Sequence, residues 1–156
     1  MFKIYNSTRY KNFNEIEQLL QWLANKLEIT TGEVVLISSS KMLKKFSTED
    51  IELKALTTPT AFKDKYSIYL DDYACSDLNL ILCHEMVHLK QFLDGDLKLD
   101  LDKYEFTWKG LKYDKSIPYN SRPWEYLATK QQGKLLSEYV KFNKKTKCLF
   151  SLFKKK

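Results

Sequence analysis

The stretch from Leu80 to Phe92, LILCHEMVHLKQF, constrains this chain more than any other. Wound as a helix it is apolar nearly all round, and a helix of that kind is buried on most sides. Yet it carries both histidines of the chain, His84 and His88, with Glu85 directly after the first. Positions i and i+4 share one helix face, so both imidazoles can reach a single zinc ion at about 2.0–2.1 Å. Glu85 projects beside that face, where it can take the proton of a metal-bound water, the general-base role in zinc peptidases. Two histidines scattered at random would fall four apart roughly once in eighty trials, and with a glutamate in the required place roughly once in a thousand. A pair of histidines satisfied by core hydrogen bonds is the competing reading. It is the weaker one, because two imidazoles and a carboxylate are costly to bury with no ion to bind them.

Around this helix the sequence reads as α+β. Asn12 to Leu27 is an amphipathic helix, with Phe13, Ile16, Leu19, Leu20, Leu23 and Leu27 on one face and Asn12 or Asn14 as cap. After Gly32, EVVLISSS reads as a short buried strand, and KYSIYLDD as another. The STED segment from Ser47 stays unassigned. Ser76 is a good N-cap for the histidine helix, and Gly95 a natural stop. Alternating Leu97, Leu99 and Leu101 and a turn at Gly110 predict an extended stretch and a hairpin. A second long helix is expected from about Pro123 to Phe142, with Asn120 or Ser121 as cap and Pro123 in its first turn. At 156 residues the chain fits one domain, expected over 1–140, followed by a basic tail over 141–156.

A catalytic zinc site wants a third protein ligand and one open position, and no histidine remains. Asp94 follows six residues after His88, but Gln91 stands where a glycine would have to turn the chain back. If the helix continues, Asp94 lies about 9 Å further along the axis and on another face. Glu125, in RPWEYLA, is the better candidate. It sits in the first turn of the second long helix, where the dipole supports an anion, and completes a His-His-Glu set. Thr129, one turn on, can hydrogen-bond a ligand from behind.

The segments HEMVHLKQFLDG, FTWKG and PYNSRPWEYLA resemble small zinc metallopeptidases of phage and bacterial genomes, on the gluzincin side of the zincin superfamily. There is a more distant likeness to SprT-like and ImmA/IrrE-type peptidase folds. The resemblance spans about Tyr66 to Ala128, roughly half the chain. Related sequences often read WEIEA where this one reads WEYLA, so Leu127 stands in place of a second acid. The resemblance implies a small zincin-like α+β domain: a short, mostly antiparallel sheet, the histidine helix behind it, and a second long helix carrying the third ligand. It implies that the strand holding Tyr66, Ile68 and Tyr69 is the sheet edge beside the zinc and holds an extended peptide by main-chain hydrogen bonds. The implied reaction is peptide-bond hydrolysis with Zn2+ as cofactor and Glu85 as base. An oxyanion donor is also needed; Tyr119, Arg122 and Tyr126 lie close to Glu125 in sequence, and Tyr119 is favoured. Arg122 joins the three strand residues as a substrate-binding candidate.

Charge points elsewhere only at the end of the chain. The net charge is +6, but seven of the 26 basic residues fall in 141–156, where there is no acid. The remaining 19 basic residues face 20 acidic ones, a poor phosphate-binding surface. The tail KFNKKTKCLFSLFKKK mixes lysines with Leu149, Phe150, Leu152 and Phe153. It reads as a frayed end, as a segment touching anionic membrane, as a nucleic-acid contact, or as a segment folded back on the body. Hence a rival function: a non-catalytic zincin-fold protein binding nucleic acid, membrane or a protein partner through its tail. Three cysteines, Cys75, Cys83 and Cys148, with no C-x-x-C pair and no visible signal peptide, suggest reduced thiols. The expected setting is cytoplasmic, in a bacterium or a phage-infected host.

Overall fold

The histidine helix lies between two sheets and a second long helix, and each neighbour delivers something to it. A computed structural model describes residues 1–47, 51–71, 77–114 and 116–153, with side chains described as far as residue 145. Seven strands and four α-helices are present among them: β1 (Phe2–Ser7), α1 (Phe13–Lys26), β2 (Gly32–Ser38), α2 (Ser40–Phe46), β3 (Ala55–Pro59), β4 (Lys65–Leu70), α3 (Leu78–Leu93), β5 (Leu97–Asp100), β6 (Glu105–Trp108), β7 (Leu111–Tyr113) and α4 (Pro123–Phe153). A single 3₁₀ turn, Tyr119–Ser121, leads into α4. The class is α+β, as expected. None of the described helices is long and apolar enough to cross a membrane.

The larger sheet has the order β1-β2-β4-β3. β1 pairs with β2 in parallel, β2 with β4 in parallel, and only β3 runs antiparallel to its neighbour β4. This differs from the expected mostly antiparallel sheet. The reason is α1, which connects β1 to β2 and returns the chain to the same end of the sheet, as a parallel pair requires. The three-stranded sheet β5-β6-β7 is antiparallel throughout. Its last turn has positive φ at both Lys109 (47°) and Gly110 (84°), the backbone of a two-residue hairpin loop matched to strand twist.

The strand carrying Tyr66, Ile68 and Tyr69 is not an edge. β4 is flanked by β2 and β3, and Tyr66 and Ile68 are buried in the core. Its burial, Ser67 included, is set by the elements packed beside it and not by its own alternating sequence. β3 is the edge, and it packs against α3.

α1 buries Ile16, Leu19, Leu20, Leu23 and Ala24 and packs on α3. Asn12 is its N-cap residue, without a side-chain cap hydrogen bond. α3 buries Leu82, Cys83, Met86, Val87, Leu89 and Phe92, and with them three polar residues, Glu85, His88 and Gln91. It ends at Gly95, whose φ of 77° supplies the left-handed turn. Asp94 caps that end, exposed and paired with Lys90 at 2.6 Å, away from the histidines. Asp77 is the N-cap residue; the expected cap Ser76, with Cys75 and all but Ser47 of STED, lies outside the described residues. Cys83 is a free, buried thiol whose pKa burial pushes up to about 12. α4 continues without a break past Phe142 to Phe153, so the basic tail is helix over 141–153; Lys154 to Lys156 lie outside the described residues.

Trp124 anchors the first turn of α4. Its side chain is 1% exposed. The Phe106 ring stacks on it at 5.0 Å, Tyr113 meets it edge-on at 5.3 Å, and Trp108 lies at 6.4 Å. The small sheet is thus an aromatic clamp on the first turn of α4, which fixes the direction of the next residue, Glu125.

Candidate metal centre

His84 and His88 project from one face of α3 toward the first turns of α4. Their Nε2 atoms are 2.9 Å apart. Glu125 Oε2 lies 3.0 Å from His84 Nε2 and 3.1 Å from His88 Nε2. The three side chains expected to converge therefore do so, from two helices and 41 residues apart in sequence. They are nearly shielded from solvent, with side-chain exposures of 12%, 8% and 12%.

The other face of each imidazole decides what this triangle is. His84 Nδ1 is 2.8 Å from Gln132 Oε1, and His88 Nδ1 is 2.8 Å from Gln91 Oε1. The Gln91 orientation is set independently, because its Nε2 donates to the Trp124 carbonyl at 3.2 Å. An amide oxygen only accepts, so each Nδ1 carries the hydrogen it donates. In the neutral rings both Nε2 lone pairs then face each other and the Glu125 carboxylate. Three acceptors within 3.1 Å of one another repel unless a cation lies among them. A tetrahedral ion with bonds of about 2.0–2.1 Å spaces its ligands about 3.3–3.4 Å apart, close to the observed edges. The donor set, two imidazoles and one carboxylate, suits zinc with one position left open.

A proton answers the same need in the metal-free protein. Burial pulls His88 toward the neutral form, but the charge and hydrogen bond of Glu125 outweigh it and raise its pKa to about 9. Burial likewise disfavours ionised Glu125, yet His88 and the hydrogen bonds of His84 and Tyr119 hold it well below the usual carboxylate range. Burial, followed by the Glu125 charge, pushes the Tyr119 phenol far up, so it remains an O–H donor. Its hydroxyl reaches the centre, 3.4 Å from His84 Nε2.

Glu85 is 4% exposed and faces the same cleft as the triangle. Thr57 Oγ1, from edge strand β3, donates to Glu85 Oε2 at 2.7 Å and lies 3.1 Å from the Glu85 carbonyl. The other carboxylate oxygen has no partner among the described residues. The cleft has a volume of about 1060 Å³ and is bounded by β3, α3, the segment 116–122 and the start of α4.

Several expected participants are elsewhere. Tyr66, Ile68 and Tyr69 do not line the cleft; Ala55, Leu56 and Thr57 of β3 do. Tyr126 is 62% exposed and turned away, so it is no oxyanion donor. Thr129 is exposed and supports no ligand; Gln91 and Gln132 take that place. Leu127, where the resemblance would place a second acid, packs on the core. Gln132 is two turns beyond Glu125 on the same helix face, a spacing that could have exposed it. Thr57 left no such signal.

No family model matches the chain, and neither a curated protein nor a solved structure matches it.

Proposed function

We propose that this protein is a zinc-dependent peptidase, with His84, His88 and Glu125 as ligands and Glu85 as the general base. The observation that carries the reading is the convergence of a carboxylate with two imidazole Nε2 atoms whose Nδ1 hydrogens are committed elsewhere. Such a trio supplies the donor set that a catalytic zinc ion takes, and the HExxH spacing supports a carboxylate beside it. A zincin-like fold is part of the proposal, supported by the antiparallel edge strand running past the histidine helix.

Bound zinc would supply Lewis-acid polarisation of the scissile carbonyl and of the attacking water. The chain's own groups do the rest. Glu85, held by Thr57 at one oxygen, keeps the other free to accept the water proton and return it to the leaving amine. Tyr119 keeps its hydrogen at any ordinary pH and donates toward the oxygen where charge develops. β3, with no strand on its outer side among the described residues, offers main-chain groups to an extended substrate beside the centre.

The test is metal analysis and proteolysis on the full chain. One zinc per chain is expected, with cleavage of a peptide library that chelation and Glu85→Gln both abolish while Glu85→Gln keeps its metal. A chain that binds no zinc and cleaves nothing would defeat the reading and leave the non-catalytic binding protein.

A further inference from the structure

Arg122 lies between the 3₁₀ turn and Pro123, extended as a residue before proline must be (φ −79°, ψ 117°). It is 8% exposed. Its guanidinium carbon sits 5.6 Å from the ring centroids of both Phe106 and Tyr119, so two aromatic rings orient it. Its Nε donates to the Ile117 carbonyl at 3.3 Å. Among the described residues no carboxylate lies within ion-pairing distance of it. Glu125 is engaged by the two histidines, and Glu85 by Thr57. A charge this buried normally has a partner, because desolvation without one is costly. No buried side-chain nitrogen or oxygen among the described residues lacks a partner, so the remaining guanidinium donors reach solvent, and Arg122 lines the cleft that holds the candidate metal centre.

We propose that Arg122 receives a carboxylate of the substrate and makes this a site selective for acidic peptides. The proposal rests on the peptidase reading and deepens it. A guanidinium presents two parallel N–H groups that match a carboxylate, which a point charge does not. Phe106 and Tyr119 hold the fork in place before substrate arrives, so little ordering is lost on binding. Among the described residues, the acids lining the cleft are Glu85 and Glu125, both already partnered. The guanidinium lies against the ring whose hydroxyl touches the triangle. A residue close to the scissile bond therefore supplies the carboxylate, since extended chains advance about 3.3 Å per residue. Its source is either the free C-terminus of a short peptide or an Asp or Glu side chain.

Four N-acetylated pentapeptides of one alanine-phenylalanine sequence separate these sources: one with a free C-terminus, one amidated, and two amidated with Glu or Gln at the residue after the scissile position. Binding to zinc-loaded Glu85→Gln protein is measured by calorimetry, and cleavage by zinc-loaded wild type by mass spectrometry. At least one carboxylate peptide should bind on the order of tenfold or more tightly than its neutral twin. Preference for the free C-terminus assigns the terminal carboxylate; preference for Glu over Gln assigns the side chain. Arg122→Gln should collapse the difference between twins while zinc content stays at one per chain, and Arg122→Lys should keep part of it. Carboxylate-dependent binding without cleavage would sustain the assignment of Arg122 while removing the peptidase reading. Wild type treating each carboxylate peptide and its twin alike, or binding none, would overturn it. So would a folded Arg122→Gln protein that keeps the preference.

Discussion

Thr57 Oγ1 and Glu85 Oε2 stand 2.7 Å apart, which ties the edge strand to the carboxylate beside the histidines. The bond leaves one oxygen of Glu85 aimed at the cleft and limits the rotamers it can adopt. Thr57→Val keeps the shape and removes the donor, so the carboxylate is free to swing. Peptide cleavage should fall about 10–100-fold, the usual cost of losing a supporting hydrogen bond. Zinc content should not change. Thr57→Ser restores the hydroxyl and should recover most of the rate. Rates for the three proteins, with zinc measured on the same samples, decide it; equal rates for Val and Ser would remove Thr57 from the mechanism.

The two glutamines behind the imidazoles should tune metal affinity. Gln132→Ala removes the acceptor from His84 Nδ1, and Gln91→Leu removes it from His88 Nδ1. Each should weaken zinc binding about 10–100-fold in a chelator competition. Their effects on stability should differ. Gln91 also donates to the Trp124 carbonyl inside the core, so its loss orphans a buried acceptor and should lower the melting temperature of the metal-free chain. Gln132 is only partly buried and makes no such second bond among the described residues.

The histidine helix, its partner Glu125 and the α+β class were legible because each leaves a local mark. The HExxH spacing is a property of one helix face, and Glu125 follows from a helix start signalled by Pro123. Where the sequence misled, the missing information was non-local. β4 alternates like an exposed-face strand, but whether a strand is inner or edge depends on which strands lie beside it. Here β3 precedes β4 in sequence and still takes the outer position. Thr57 is one of several threonines until β3 is laid against α3. Thr129 sits at the obvious one-turn spacing from Glu125, yet the packing of α4 on α3 turns Gln132 inward instead.

Trp124 should link global stability to the metal centre. It fills the space between Phe106, Trp108 and Tyr113 and is 1% exposed. Trp124→Ala should cost about 3–5 kcal/mol by denaturant unfolding, as large-to-small changes of this size do. Because the same ring sets the direction of Glu125, the surviving folded protein should also bind zinc more weakly. A destabilised variant with wild-type zinc affinity would show that α4 is oriented by other contacts.

The proton that stands in for the metal gives a pH signature. Unfolded, His88 titrates near 6.5; folded and metal-free, it titrates at about 9. Its contribution to stability is therefore complete below about pH 6.5 and is lost as pH rises through about 9. Glu125 works in the other direction: its folded pKa lies below the ordinary 4.5, so its contribution holds above that value and is lost as pH falls. From these two groups the metal-free chain should be most stable between about pH 4.5 and 6.5, and its melting temperature should decline from 6.5 to 9. Zinc must displace the proton from His88, so its apparent affinity should climb about tenfold per pH unit until about pH 9. Metal-loaded chain should accordingly lose the alkaline decline. Melting curves with and without zinc across that range, with zinc affinity measured at three pH values, test both halves. A metal-free melting temperature that stays level from 6.5 to 9 would mean that His88 and Glu125 do not share a proton, and would break the link between their geometry and the cation site.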